Sequence, residues 1–277
     1  MKTNRYIISA SVVGRGHLDS GVPCQDANNW KMLNDFWGIA VISDGAGSYE
    51  NSHKGSAFVV KNIIEVVRDA MTLTKWYNDN VLPSDEAWRD MIIIVLKQTR
   101  DNLQQYAKES DNDFHSTGCT LNLVVFSKEG LLTAHIGDGR ACYQNENKEW
   151  KAMLKPFKGN EVGSTVFITT NWIWENTEKY IETRVICENI KSFVLLTDGM
   201  ETASFLCYTK NENEHYFDPN QPFEKFFNTN ISAINAMINQ GIVLDEINER
   251  WSTYLSSSQN LAEENDDKTM LIGIFKD

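Results

Sequence analysis

Three places in the chain share one local pattern: an apolar run, then Asp, then Gly. They read AVISDGAG around Asp44, AHIGDGR around Asp138 and VLLTDGM around Asp198. A fourth acid, Asp266, stands in ENDDKT just before a last apolar run. A carboxylate at a strand end is fixed in position yet reaches solvent. The Gly that follows permits φ > 0 and lets backbone carbonyls approach a ligand. One Asp-Gly alone reads as a turn. Several like charges converging on one end of a sheet are unfavourable unless a cation sits among them. The oxygen-only donor set suits hard cations such as Mg²⁺ and Mn²⁺, with water completing the shell.

These acids need strands to carry them. Short runs rich in β-branched and aromatic residues predict strands over 8–12, 36–43, 119–126, 131–137, 193–197 and 269–275. The turn from Ser127 to Gly130 joins two of them at hairpin spacing, so the sheet there is antiparallel. Between the strands, Ala57, Val60, Ile64, Val67 and Met71 recur at helical spacing over 54–71. The same holds over 85–108, where Ser84 is placed to cap the first turn, and a third helical region covers 231–256. The stretch 144–190 is polar and irregular. Helices come in pairs rather than alternating with single strands, which favours sheets packed on each other over a doubly wound parallel sheet.

The bulk properties narrow the function classes. Hydrophobic residues at 42% and charged residues at 23% of 277 describe a globular chain able to bury a core, expected as one compact domain over 1–277. A net charge of −12 argues against nucleic acid and anionic lipid as partners. Five cysteines, an odd count without a C-x-x-C pair, argue against a disulfide framework or a zinc site and for a reducing cytoplasm. No apolar run approaches the ~18 residues of a membrane span. The start, YIISASVVG, alternates as a strand rather than reading as a signal peptide.

Six motifs stand in order along nearly the whole chain: PCQDA at 23–27, SDGAGS at 43–48, STGCTL at 116–121, IGDGRACY at 136–143, LLTDGM at 195–200 and DDKT at 266–269. Each is weak alone. In this order they resemble the metal-dependent protein phosphatases, the type-2C serine/threonine enzymes, and the Cys-Gln-Asp form of the first is similar to a bacterial branch. The resemblance implies an α+β fold, a four-layer α-β-β-α sandwich of two central antiparallel sheets flanked by helices. It implies hydrolysis of phosphoserine and phosphothreonine in proteins with two Mn²⁺ or Mg²⁺ ions, and a third ion in bacterial relatives. Carried over by position, Asp44, Asp198 and Asp266 are the catalytic acids: Asp44 bridges both metals, the Gly45 carbonyl ligates one, and Asp198 and Asp266 hold the other. Asp138, with Asp198, matches the third-metal position. Gln25 acts through a metal-bound water, and Asp26 stands behind the direct ligands. A hydroxide shared by the two metals then attacks phosphorus in line. The segment 144–190 matches a variable flap beside the site. The expected partners are a phosphorylated protein substrate and a cognate Ser/Thr kinase, with no nucleic acid and no membrane, in the cytoplasm.

The chain departs from that pattern at three positions. The Arg that the family carries five residues before Asp26, as a bidentate phosphate clamp, is Gly21 here. Arg15, His17 or Arg140 would have to compensate, and Arg15 and His17 are the phosphate-binding candidates. The acidic neighbour of Asp26 is Gln25, whose amide oxygen can still accept from a metal-bound water. The His that animal relatives carry after Asp-Gly is Ala46, so the general acid it would supply is missing. His17 and His53 flank the metal motifs, while His135 reads as a packed core residue. The rival readings are a pseudophosphatase that binds a phosphoprotein without turnover, and another two-metal hydrolase. A haloacid-dehalogenase-type enzyme needs an Asp-x-Asp that Asp44-Gly45-Ala46 does not supply. A P-loop kinase would need a G-x-x-x-x-G-K-[ST] run, which is absent.

Overall fold

The apolar runs form the centre of two stacked sheets in the computed structural model, which describes residues 4–127, 129–159, 165–210, 216–259 and 261–276. The strands that matter for the site are β1 (Asn4–Val12), β2 (Ala27–Met32), β3 (Gly38–Ser43), β4 (Leu121–Phe126), β5 (Leu131–Ile136), β6 (Arg140–Asn145), β7 (Trp150–Ala152), β8 (Glu182–Ile186), β9 (Ile190–Leu196) and β10 (Lys268–Lys276). One sheet has the order β1-β10-β9-β6-β7 and the other β2-β3-β4-β5-β8, and every pairing is antiparallel. The expected hairpin closes with Leu121 opposite Ile136 and Phe126 opposite Leu131.

Two sheets covered on both faces explain why β3, β4 and β5 read as unbroken apolar runs. Between the sheets lie Ile7, Ile42, Val124, Phe126, Leu195 and Leu271. After the short helix α1 (Arg15–Ser20), two long helices cover the outer face of the second sheet: Val60 and Ile64 of α2 (Ser52–Thr74) and Trp88 and Ile92 of α3 (Asp85–Glu109) pack with Val41, Leu123 and Leu132. The first sheet is covered by α4 (Glu224–Asn239) and α5 (Leu244–Ser257), with Ile234 and Trp251 packed among Val194 and Ile272. Burial of each such side chain stabilises by about 1.5–3 kcal/mol. The result is the four-layer α+β sandwich.

Ser84 caps α3 as expected, its hydroxyl accepting from the Ala87 amide. The helical region over 231–256 is instead two helices. Gly241, at φ 77°, takes the left-handed conformation that ends α4, and Ile242 donates back to the Met237 carbonyl at 3.1 Å. The stretch 144–190 is less irregular than its polarity suggests, since it contributes β7 and the edge strand β8. Strands β2 and β6 were hidden from periodicity by Asn28, Asn29 and Arg140. Among the described residues no helix is long and apolar enough to cross a membrane.

Candidate metal centre

The topology carries all four acids to one end of the sandwich. β3 leads out to Asp44 and β5 to Asp138, on strands both paired with β4. In the facing sheet β9 leads out to Asp198, while Asp266 precedes β10, its antiparallel neighbour. The Thr197 amide donates to the Thr269 carbonyl at 3.2 Å, which fixes these two exits side by side.

The remaining motifs hold the acids in place. Thr120 clamps Asp44 twice: its hydroxyl accepts from the Asp44 amide at 3.0 Å, and its own amide donates to the Asp44 carbonyl at 2.8 Å. The Ala46 amide donates to the Gly118 carbonyl at 3.0 Å. The segment 116–121 is thus a bracket for Asp44-Gly45-Ala46. Asp26 is buried and accepts from the Thr197 hydroxyl at 2.8 Å.

The glycines after the acids serve a different purpose from the one expected. Gly45, Gly139 and Gly199 have no positive φ; they allow close approach. A Cβ on Gly199 would collide with the Asp267 carbonyl, and one on Gly45 would meet the Gln25 carbonyl at 2.8 Å.

Burial and mutual repulsion set the electrostatics of these carboxylates. Burial, then Asp26, Asp198, Asp266 and Asp138, hold Asp44 well above the usual carboxylate range. Burial and Asp266 push Asp198 up to about 6, and burial and Asp198 push Asp138 up to about 7. Burial pushes Asp26 up to about 8. Asp266 is also raised, by burial first. Among the described residues no three His, Cys, Asp or Glu side chains form a ready-made ligand group. The donors nevertheless fit hard cations that keep most of their water. Asp198 Oδ1, Asp26 Oδ1 and Gln25 Oε1 are buried without a hydrogen-bond partner, and a cation with its waters would satisfy such oxygens.

The phosphate-binding candidates fare differently. Arg15 points outward, paired with Glu263 and 4.0 Å from Asp19. His17 stays at the site, its Nδ1 2.9 Å from Asp267 Oδ1. Gly21 ends the short helix Arg15–Ser20 in the left-handed conformation, φ 70°, with open space around its Cα. Arg140 is fully buried and committed elsewhere: it donates to Glu201 at 2.9 Å, to Asp218 at 2.6 Å and to Asn220 at 2.6 Å.

Two residues that sequence reasoning passed over matter here. Asp267 is buried and accepts from the Gly14 amide at 2.7 Å and the Gln25 amide at 2.5 Å. It stood in the sequence as one more acid of a charged loop, and only its place beside Asp266 hinted at more. Glu201 follows Asp198 by one helical turn and adds negative charge felt by both Asp138 and Asp198.

The sequence profile of the family described as Protein phosphatase 2C matches residues 13–242. The chain is 23% identical over 273 residues to Serine/threonine-protein phosphatase 3 of Escherichia coli (strain K12), covering 97% of this chain and 98% of that one. Its fold is similar to that of a bacterial serine phosphatase, with a TM-score of 0.58 and 13% identity over 99% of this chain and 98% of the other. It is also similar to a serine-threonine phosphatase 2C from Toxoplasma gondii, with a TM-score of 0.57 and 11% identity over 100% and 96%. RsbX, solved in complex with magnesium, matches with a TM-score of 0.51 and 13% identity over 98% and 96%.

Proposed function

The chain belongs to the protein phosphatase 2C family, and on that premise we propose that its four-aspartate centre hydrolyses phosphoserine and phosphothreonine in proteins with Mn²⁺ or Mg²⁺. The observation that carries this reading is the convergence of Asp44, Asp138, Asp198 and Asp266 at one end of the sandwich, with buried oxygens left without partners.

The residues take these roles. Asp44, Asp198, Asp266 and the Gly45 carbonyl would hold two ions, and Asp138 with Asp198 would hold a third. When bound there, the ions supply an activated water and screen the phosphate oxygens. Gln25 Oε1, free of other partners, accepts from a water at the centre. Asp26, anchored by Thr197, lies behind the ligands and orients that water. His17, beside Asp267, would meet a phosphate oxygen where Gly21 offers nothing. No covalent phosphoenzyme is required, because the attacking group is water. A phosphorylated protein is the substrate, and a cognate Ser/Thr kinase produces it.

The test is release of phosphate from a phosphothreonine peptide. Turnover stops with EDTA and returns with Mn²⁺ or Mg²⁺, while Zn²⁺ substitutes poorly. Full activity in a chelated, metal-free sample overturns the reading. Gly21 favours one alternative, a phosphoprotein-binding module without turnover. Hydrolysis of p-nitrophenyl phosphate with Mn²⁺ separates the two.

A further inference from the structure

Two successive residues of the 144–190 segment grip the core on either side of Asp138 and Asp198. The Phe157 amide donates to the Gly137 carbonyl at 2.8 Å, one residue before Asp138. The Lys158 ammonium donates to both carboxylate oxygens of Glu201, at 3.0 and 3.1 Å, and Glu201 stands three residues after Asp198. Asp198–Met200 is a 3₁₀ turn that runs straight into the helical turn Glu201–Ser204. Side chains three apart on such a turn share a face, with Cβ atoms about 5–6 Å apart. Glu201 therefore stands beside Asp198. Burial is the first cause that raises Asp198 and Asp138, and the Glu201 charge adds to it at both.

Glu201 carries two cations of different kinds. Arg140 Nε reaches one oxygen at 2.9 Å, and its fully buried guanidinium is also held by Asp218 and Asn220, so it is fixed. Lys158 comes from the flap, and its side chain is 37% exposed. Its other neighbours are looser: Asp218 at 3.8 Å and the Tyr208 ring at 5.5 Å. A hydrated ammonium on a flexible four-carbon stem leaves such a pair at small cost. Beside a divalent cation at Asp138 and Asp198, Glu201 is placed to accept from the waters such an ion keeps, while the Lys158 ammonium is repelled.

Resting on the third-ion assignment above, we propose that Glu201 is a further residue of that ion's site and that Lys158 of the flap competes with the ion for its carboxylate. Lys158 on Glu201 ties the flap to the core. Ion binding draws Glu201 to the ion's waters and releases that tie. The coupling is reciprocal: the factor by which the ion weakens the Lys158 contact is the factor by which that contact weakens the ion.

Mn²⁺ binding, followed through the electron paramagnetic resonance of free Mn²⁺ at fixed pH, tests this without turnover. Lys158→Met is expected to tighten the weakest class of site about tenfold. Glu201→Gln is expected to weaken it about tenfold, the scale of one charge-assisted hydrogen bond. The tighter ions are expected to stay as they are. Charges acting independently at a distance would make the two effects add, whereas competition for one carboxylate leaves Lys158→Met with less than about a twofold effect in the Glu201→Gln background. Lys155→Met removes a neighbouring flap charge of the same sign, and a change below about twofold is expected from it. The unsubstituted protein gives a second readout that no folding defect can confuse. Modification of Lys158 by an acetylating ester, read by mass spectrometry, is expected to rise about fivefold over the Mn²⁺ range that fills the weak site, while Lys155 stays level. Additive effects in the double variant, equal tightening by Lys155→Met, or Lys158 reactivity that stays constant as the weak site fills each overturn the competition. Binding of two ions with no weaker third overturns the third-ion assignment and this inference with it, and leaves a two-metal phosphatase standing. No Mn²⁺ binding at all is failure of the phosphatase reading itself.

Discussion

The Nδ1 atom of His17 lies 2.9 Å from a carboxylate oxygen of Asp267, and that same oxygen accepts the Gly14 amide at 2.7 Å. The second oxygen of Asp267 accepts the Gln25 amide at 2.5 Å. One buried carboxylate therefore ties the segment from Gly14 to Gln25 to the turn that presents Asp266. Removing it strands two buried amides. Asp267→Ala is expected to destabilise by roughly 2–4 kcal/mol and to lower kcat by displacing Gln25 and Asp266. Asp267→Asn keeps an acceptor and loses less. Urea unfolding of the metal-loaded proteins checks this, and wild-type stability of the Ala variant would show that the clamp carries no load.

Arg140 joins β6 to the helical turn after Asp198 through Glu201, and to the 218–220 segment through Asp218 and Asn220. Its guanidinium is fully buried while its acidic partners are partly exposed. Arg140→Met leaves Glu201 and Asp218 with Lys158 as their remaining cation. The expected loss is about 3 kcal/mol, the low end for breaking a buried pair. Thermal unfolding in Mn²⁺ measures it, and an unchanged midpoint would contradict the assignment.

The metal-free protein should grow less stable as pH rises. Asp198, Asp138 and Asp26 sit at about 6, 7 and 8 in the folded chain, above their unfolded values. The folded state then holds more protons than the unfolded one across that window, so stability present at acid pH is lost as pH climbs through it. In EDTA the Tm is expected to be higher at about pH 5.5 than at about pH 8, and Mn²⁺ at the upper pH to restore it. Asp44→Asn in EDTA at the upper pH should likewise raise the Tm by relieving like charge. A Tm that rises with pH in EDTA would contradict the repulsion argument.

Ala46 is buried and its amide is held by the Gly118 carbonyl, so this position supplies no proton to a leaving alkoxide. A positioned general acid contributes about 10²–10⁴-fold to such a step. The rate is expected to fall steeply with leaving-group pKa across a series of aryl phosphates. A flat series would mean that an acid is already in place, and His17→Gln and His53→Gln would then show which ring supplies it.

The interior strands and the capped helix α3 were legible because burial on both faces and the Ser84 cap leave a local imprint. Strands β2 and β8 were not: as sheet edges they carry Asn28, Asn29 and Arg184, and their identity comes from the neighbours they pair with. The four Asp positions could be read from their repeated strand exits. Their convergence depends on pairings across most of the chain, which only the ordered motifs suggested. Asp267 could not be told from Glu263 or Glu264 by type or spacing. What distinguishes it is burial against Gly14 and Gln25, more than two hundred residues away in sequence.

The central claim is that the Asp44 cluster is a metal-dependent phosphatase centre, and kcat for a phosphothreonine peptide in saturating Mn²⁺ tests it most directly. Asp44→Asn and Asp198→Asn are each expected to lower kcat by at least ~10²-fold, on the scale of losing a major electrostatic stabiliser, while remaining folded. Wild-type kcat in both variants would show that the chemistry takes place elsewhere.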